Sequence, residues 1–147
     1  MRELKLHPIS VSDELTTGLA AAGLPIDDIG EPGRSYFRLA DTENQIIGYS
    51  GVEAASHDAV LLRSMVILPA FRSQGYGRRL TVMTIARTPN GSAVYLATTN
   101  AARFFEHLGF AAVGRDQVPH AILSTRQLSG LCPASATIMK LTRRPAT

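Results

Sequence analysis

The chain has 147 residues and a mass of 15.8 kDa, with 45% hydrophobic residues, 18% charged residues and a mean hydropathy of +0.05. This length and composition predict one globular domain over residues 1–147 and exclude a disordered chain. No apolar run reaches the roughly 20 residues that span a bilayer, and the N-terminus lacks the apolar stretch of a signal peptide. The single cysteine, Cys132, excludes internal disulfides and a multi-cysteine metal site. We therefore expect a soluble cytoplasmic protein with no membrane partner and no metal.

The charge balance favours a small anionic ligand over a polyanion. The chain has 15 basic and 12 acidic residues, and 13 of the basic residues are arginine. Arginine binds phosphate and carboxylate groups through two parallel hydrogen bonds. The longest basic runs are two residues, Arg78-Arg79 and Arg143-Arg144, and there is no tryptophan to stack on bases. These features exclude a nucleic-acid partner.

In chain order, the hydrophobic pattern predicts strands and helices that alternate. Leu4 and Leu6 lie in a short edge strand that ends at Pro8. A helix follows, capped by either Ser10 or Ser12 and ended by Gly23. Further strands are predicted over 36–40, 46–55, 60–68, 93–97, 110–113 and 137–141, and further helices over 75–88 and 101–108. The segment between the last two strands receives no element. The fold class is a mixed α/β sheet in one domain, with the nearly continuous apolar strand 60–68 at its centre.

The most informative segment is the loop that joins strand 60–68 to the next helix. Gly75 and Gly77 lie where that helix begins, so its unpaired N–H groups and positive dipole end are open to an anion. Arg72 and Arg78 add positive charge at the same place. The pattern predicts a pyrophosphate cradle; the alternative is an ordinary flexible turn. The dinucleotide fingerprint is absent because Leu80 stands at its third glycine, and so is the phosphate loop that ends in Gly-Lys-Ser/Thr.

The segment Arg72-Ser73-Gln74-Gly75-Tyr76-Gly77 resembles the Arg/Gln-x-x-Gly-x-Gly/Ala loop of the GNAT acyltransferases, the GCN5-related N-acetyltransferases. The segment from Phe104 to Phe110, which contains Leu-Gly-Phe, is similar to the second signature of that family. The resemblance implies a GNAT-like fold, a central and mostly antiparallel sheet flanked by helices, with acetyl-CoA as co-substrate. It implies these cofactor-binding residues: Met65, Val66, Ile67, Arg72, Ser73, Gln74, Gly75, Tyr76, Gly77, Arg78, Thr98 and Phe105.

The resemblance also implies a mechanism. The pantetheine arm would lie between strands 60–68 and 93–97, and a backbone N–H near Met65 would polarise the acetyl carbonyl. The amine would attack directly in a ternary complex, without a covalent enzyme intermediate. Two positions depart from the family pattern, since Phe105 stands where many members have tyrosine and Thr98 where many have asparagine. The general acid is therefore unassigned, and the sequence does not place Tyr36 or Tyr95 as a substitute.

A narrower resemblance concerns the acceptor. The segments 61–64, 96–99 and 131–136 are similar to the arsenic-resistance branch of these enzymes. This implies N-acetylation of an acidic amino acid analogue such as arsinothricin or phosphinothricin. The alternatives are another small amine, a protein N-terminus, or a non-catalytic acyl-CoA-binding regulatory module. The oligomeric state stays open, a homodimer included.

The residues themselves suggest candidates for the acceptor end. Glu53, an acidic residue in an apolar strand, is the candidate base, and its alternative role is a salt bridge to Arg63. A two-residue turn would set Glu53 opposite Leu62, and a three-residue turn would set it opposite Arg63. Arg63 is the predicted anchor for an acidic group, with a structural ion pair as its alternative. Ser64, on the opposite face of the strand, and His120 complete the predicted substrate-binding set, whereas Cys132 is predicted to be a buried small residue.

Overall fold

The first strand, β1 (Leu4–Ile9), lies at an edge of the sheet, where a proline is tolerated. Its pairing continues past Pro8, which lies opposite Phe37, so the strand ends at Ile9 and not at Pro8 as predicted. The computed structural model describes residues 3–145. The remaining elements are α1 (Asp13–Ala21), β2 (Arg34–Asp41), β3 (Ile46–Ser56), β4 (Ala59–Ile67), α2 (Tyr76–Ile85), β5 (Ala93–Thr98), α3 (Ala102–Glu106), β6 (Phe110–Ala112), α4 (His120–Leu123) and β7 (Thr137–Leu141).

The seven strands form one sheet in the order β1-β2-β3-β4-β5-β7-β6. All neighbouring pairs are antiparallel except β4 and β5, which run parallel. Val60 and Leu62 pack on the face that carries α2, whereas Leu61 packs on the opposite face with Ile122 of α4. This arrangement confirms the predicted mixed α/β sheet with a central strand buried on both faces. Among residues 3–145, no helix is long and apolar enough to span a membrane.

Helix α1 begins at one of the two predicted caps. The Oγ of Ser12 accepts a hydrogen bond from the backbone N–H of Leu15 at 3.4 Å, so Ser12 and not Ser10 is the cap. Leu15 and Leu19 are fully buried and pack in one cluster with Tyr36 and Tyr49. The helix gives way to Gly23, which has a φ of +74° as glycine after a helix commonly does.

Two irregularities set the register between β3 and β4. The turn is of two residues, because Ser56 pairs with Ala59, yet Glu53 lies opposite Leu61. Both predicted registers were therefore wrong, since a bulge between Ala54 and Ser56 shifts the pairing by one residue. A second bulge lies at Ser64, whose φ is +56°.

The parallel pair β4 and β5 is short. Pairing extends only from Ala59 opposite Ala93 to Leu61 opposite Tyr95. Beyond Leu61 the two strands diverge, so the edge of β4 that faces β5 has no strand partner along the rest of its length. Backbone groups on that edge are available to a ligand that enters the gap.

The segment between β6 and β7, which the sequence left without elements, consists of single turns. It contains a 3₁₀ turn (Arg115–Gln117), α4 and a π-helical turn (Gln127–Leu131). Turns this short show no hydrophobic period, which explains why the sequence pattern did not reveal them. Ile122 and Leu128 are buried beneath the segment and hold it against β4 and β5.

Candidate functional site

A cavity of about 610 Å³ occupies the gap between β4 and β5. One wall is β4 from Leu61 to Ile67, and the opposite wall is β5 together with the start of α3. The α1–β2 loop and the segment before β7 enclose its other end. The side chains from those two segments are Leu24, Pro25, Gln127, Leu131, Cys132, Pro133 and Ala136.

A groove of about 480 Å³ adjoins this cavity at the N-terminus of α2. Gly75 precedes the helix with a φ of +86°, and no side chain caps the first turn. A Cβ built at Gly75 would meet no atom within 4 Å, and one at Gly77 would meet only the Phe104 ring, at 3.4 Å. The backbone amides of this turn are therefore open to an anionic ligand, as the cradle prediction requires.

Ten of the twelve predicted cofactor-binding residues line the cavity or the groove. They are Met65, Val66, Ile67, Arg72, Ser73, Gly75, Gly77, Arg78, Thr98 and Phe105. The other two do not line either space. The amide of Gln74 donates to the carbonyl of Ala70 at 3.3 Å, and the ring of Tyr76 packs edge-on against Phe71.

The two departures from the family pattern lie on the β5 side of the cavity. Phe105 is half-buried and packs edge-to-face against Phe104 and Phe110, with ring centroids 5.0 and 5.8 Å away. The Oγ1 of Thr98 accepts a hydrogen bond from the N–H of Ala101 at 3.0 Å. Thr98 therefore shapes the turn into α3, and Phe105 contributes an apolar surface with no proton to give.

Arg63 lies at the centre of a buried cluster of four charged side chains. Its guanidinium donates to both oxygens of Asp28, at 2.6 and 2.7 Å, and to Glu53 at 2.9 Å. Arg34 donates to Asp28 at 2.9 Å and lies 3.5 Å from Glu53. Two cations and two anions compensate one another, as buried charges require. We call Asp28, Arg34, Glu53 and Arg63 the ion quartet.

Electrostatics within the ion quartet favour the charged forms. Burial alone would raise the pKa of Asp28, but hydrogen bonds from Arg63 and Arg34 outweigh it and lower that pKa to about 2. Burial works to lower the pKa of Arg63, and the Asp28 carboxylate overcomes this and raises it. Burial also raises the pKa of Tyr36 to about 12, and the Tyr36 hydroxyl has no hydrogen-bond partner among residues 3–145.

The predicted acceptor residues are only partly brought together. Arg63 and Ser64 line the cavity. Nε of Arg63 donates to Oγ of Ser64 at 3.2 Å, so the two side chains meet, and the prediction that they point to opposite faces was wrong because the bulge turns the strand there. Glu53 is buried beside Arg63 and is not among the lining residues. His120 is exposed at the start of α4, also away from the lining.

Sequence reasoning missed several residues of the cavity and the ion quartet, and Arg34 is one of them. Asp28 lies in a polar loop next to the exposed Asp27, and the sequence alone does not distinguish the two. Gln127 and Cys132 belong to the segment without predicted elements, and Cys132 is half-buried on the cavity wall instead of packed away. Phe104 follows the helical pattern yet is 40% exposed at the mouth of the cavity.

Comparison with known proteins agrees with this geometry. Residues 33–112 match the model of the acetyltransferase (GNAT) domain family. The uncharacterized N-acetyltransferase CT2212 of Chlorobaculum tepidum is 26% identical in an alignment of 128 residues that covers 83% of this chain and 81% of that protein.

Two solved structures share the fold. The N-acetylglutamate synthase of Neisseria gonorrhoeae, solved with coenzyme A and N-acetyl-glutamate, has a TM-score of 0.73 and 17% identity over 97% of this chain. This chain spans 36% of that synthase. A mutant of the spermidine N-acetyltransferase SpeG of Vibrio cholerae has a TM-score of 0.67 and 13% identity, and covers 93% of this chain and 92% of its own.

The family match covers more than half of the chain, and the divergent β4–β5 pair and the glycine turn lie within it. The chain belongs to the GNAT acetyltransferase family. It is thus an acyltransferase with acetyl-CoA as co-substrate, and the open glycine turn and the adjoining cavity fit that molecule's pyrophosphate and pantetheine arm.

The glycine turn generates a first prediction. Gly77→Val should weaken acetyl-CoA binding at least about tenfold, because a branched side chain fills the space beside the exposed amides. Titration calorimetry with acetyl-CoA measures the effect. Gly77 is a cleaner site than Gly75, whose positive φ would strain any β-branched residue. Gly30→Val, in a loop with open space around its Cβ, is the matched control. Unchanged affinity in a folded Gly77→Val protein would contradict the cradle.

The ion quartet generates a second prediction. Because the pKa of Asp28 is lower in the folded protein than its ordinary value of 3.8, its ionised form stabilises the fold above about pH 4, and this contribution is lost as the pH falls toward 2. Asp28→Asn should lower the free energy of unfolding at pH 7 by about 3–5 kcal/mol, since it strands Arg63. The substitution should also make the free energy of unfolding less dependent on pH between pH 4 and pH 2.

Urea unfolding at pH 7, 4, 3 and 2.5 measures both effects. Asp27→Asn, at the exposed neighbour, is the control and should behave like the parent protein. If the free energy of unfolding falls with pH as steeply in Asp28→Asn as in the parent protein, Asp28 does not cause the acid sensitivity.

Proposed function

We propose that this protein transfers the acetyl group of acetyl-CoA to the primary amine of a small amino acid analogue with a second acidic group, of the arsinothricin or phosphinothricin type, in the cytoplasm. The observation that carries the proposal is the continuous space from the glycine turn of α2, past β4, to an end enclosed by side chains. Its enclosed end suits a small acceptor better than a protein surface.

The co-substrate supplies a thioester-activated acetyl group. At its phosphate end, the amides that follow Gly75 and the guanidinium groups of Arg72 and Arg78 would bind the pyrophosphate. Along β4, the unpaired strand edge from Leu62 onward would hydrogen bond the pantetheine arm. A backbone N–H near Met65, just past the Ser64 bulge, would donate to the acetyl oxygen as negative charge develops there.

Proton transfer is the second requirement. An alkyl amine has a pKa of about 10 and must lose a proton before it attacks. Glu53 as the base stays a prediction: its carboxylate already accepts from Arg63 and lies off the cavity wall, so a proton would have to reach it through intervening groups. The leaving thiolate needs less help, because a thiol pKa of about 8.5 makes it a tolerable leaving group beside Phe105.

Arg63 bears on the choice of acceptor. Its position on the cavity wall and the narrower resemblance both support an acidic acceptor. The guanidinium is already compensated by Asp28 and Glu53, and its side chain is only 1% exposed. That compensation favours, as a second candidate, a small amine without an acidic group. The role of Arg63 as an anchor stays a prediction that an acceptor panel decides.

The panel generates a third prediction. Thiol release from acetyl-CoA should depend on the acceptor and should be faster with L-phosphinothricin than with spermidine, measured as kcat/KM. If Arg63 anchors the acidic group, Arg63→Ala should raise the KM for L-phosphinothricin about ten- to a hundredfold, because a hydrogen bond to a charged group contributes about 1.5–3 kcal/mol, and should affect spermidine much less. Arg63→Lys should recover only part of the loss.

A melting curve on each variant separates binding from folding. Equal losses for both amines together with a lowered Tm would make Arg63 purely structural. Arg38→Ala, which removes a half-exposed partner of Glu14 away from the cavity, is the matched arginine control. If no amine in a broad panel supports thiol release, that result would contradict the acetyltransferase proposal and favour a non-catalytic acyl-CoA-binding module.

The absence of a proton donor at Phe105 generates a fourth prediction. Phe105→Tyr should leave kcat unchanged or raise it modestly, since the added hydroxyl sits on a cavity-lining ring and can protonate the leaving thiolate. Steady-state kinetics with a thiol reagent measures this. A collapse of kcat at unchanged Tm would show instead that the unsubstituted ring itself shapes the thiol end of the cavity.

A further inference from the structure

Gln127 is a buried polar side chain on the cavity wall with an unused donor. Its exposed fraction is 8%, and it lines the space between β4 and β5. Among residues 3–145, its side-chain amide nitrogen donates no hydrogen bond. That nitrogen is not fully enclosed by protein atoms, so a ligand atom can reach it. A donor left unfilled in an enclosed site costs free energy until a ligand accepts from it.

The other arm of the amide is occupied. Oε1 of Gln127 accepts from Sγ of Cys132 at 3.5 Å, and the backbone N–H of Cys132 donates to the carbonyl of Gln127 at 2.6 Å. Burial raises the pKa of Cys132, which keeps the thiol protonated and able to donate at neutral pH. Because the oxygen and the nitrogen of an amide diverge, fixing Oε1 on Cys132 leaves the nitrogen of this cavity-lining side chain free of that contact.

The backbone around Gln127 is anchored on both sides. Arg126 forms an ion pair with Glu31 of the α1–β2 loop, and Leu128 is buried in the cluster beneath α4. The N–H of Leu128 also donates to Oγ1 of Thr125 at 3.4 Å. Gln127 itself lies at the start of a π-helical turn, a geometry often found at functional sites. The side chain is thus presented from a fixed position.

We propose that Gln127 binds an oxygen atom of the acceptor, a carboxylate or phosphinate oxygen, through its side-chain N–H, and that Cys132 is the positioning residue that orients the amide. This inference rests on the proposed function and names a recognition residue for it.

The surroundings explain why a neutral donor would perform this task. Leu24, Pro25, Leu131 and Pro133 make this end of the cavity largely apolar. The positive charge of Arg63 is compensated within the ion quartet. An acidic group there gains most from donors that are not already paired, and the Gln127 amide is such a donor.

The test compares an oxygen-bearing acceptor, L-phosphinothricin, with spermidine, which has no oxygen. Gln127→Leu should raise the KM for L-phosphinothricin about ten- to a hundredfold, leave the KM for acetyl-CoA unchanged, and alter the KM for spermidine less than about threefold. Gln127→Glu should have a larger effect, because a carboxylate replaces the donor and repels the acidic acceptor. Gln117→Leu, at an exposed glutamine off the cavity, is the matched control.

Cys132 supplies two further readouts. Cys132→Ala should raise the KM for L-phosphinothricin severalfold without changing kcat, and Cys132→Ser, which keeps a donor to Oε1, should restore it. Since Cys132 is the only cysteine, its alkylation by iodoacetamide reports on the site without turnover. L-phosphinothricin should slow this reaction in the parent protein and fail to do so in Gln127→Leu at the same concentration.

The outcomes are separable. If no amine supports thiol release, the proposed function fails and this inference fails with it. If only amines without oxygen are acetylated, or if Gln127→Leu raises both KM values equally with no change in protection of Cys132, the acetyltransferase stands and the role of Gln127 is overturned.

Discussion

The structure depends on the early separation of β4 from β5. Two adjacent strands in a sheet normally pair along their length, because unpaired backbone groups away from water are costly. Here pairing stops at Leu61, and the sheet is continued past the gap by β7 and β6, so the interruption does not end the fold. The bulge at Ser64 turns β4 further along the strand, within its unpaired part. The resulting gap is the cavity itself, and it leaves the edge of β4 beyond Leu61 without a strand partner. In the proposed function, an extended, amide-containing arm would pair with this edge, so the topology would account for its binding.

The ion quartet has a different task, which is to hold the far end of the cavity in place. Desolvating four charges is expensive, and replacing such clusters with apolar residues is often neutral for stability, so stability is a weak explanation for it. What the quartet does join is the α1–β2 loop, through Asp28, to β2, β3 and β4, through Arg34, Glu53 and Arg63. Leu24 and Pro25, a few residues before Asp28, form part of the cavity wall. The quartet thus adds buried ion pairs to the apolar contacts and the Glu31–Arg126 ion pair that position this loop.

Sequence patterns predicted the parts of this molecule that regular structure dictates. Apolar runs predicted the strands and the class of the sheet. The glycine turn with its arginines predicted the end of the site that would bind a pyrophosphate. The register of Glu53 was not predictable, because it depends on the bulge between Ala54 and Ser56, and no residue type there indicates a bulge. Asp28 and Asp27 are identical in sequence terms, and only the tertiary fold buries one of them against Arg63. The segment that contains Gln127 was not predicted for a third reason, because single turns are too short to show a hydrophobic period.

These three reasons follow from how the two ends of the cavity are built. The proposed co-substrate end presents backbone groups, the amides of one turn and one strand edge. Closely spaced glycines after an apolar strand indicate such exposed backbone in the sequence. The acceptor end uses side chains from the α1–β2 loop, from β4 and from the turn before β7, which lie far apart along the chain and meet only after folding. The class of reaction depends on the first end, and a short sequence motif is therefore enough to predict it. In the proposed function, acceptor selectivity depends on the second end, on the unpaired amide donor of Gln127 or the compensated guanidinium of Arg63, and these arrangements exist only in the folded geometry.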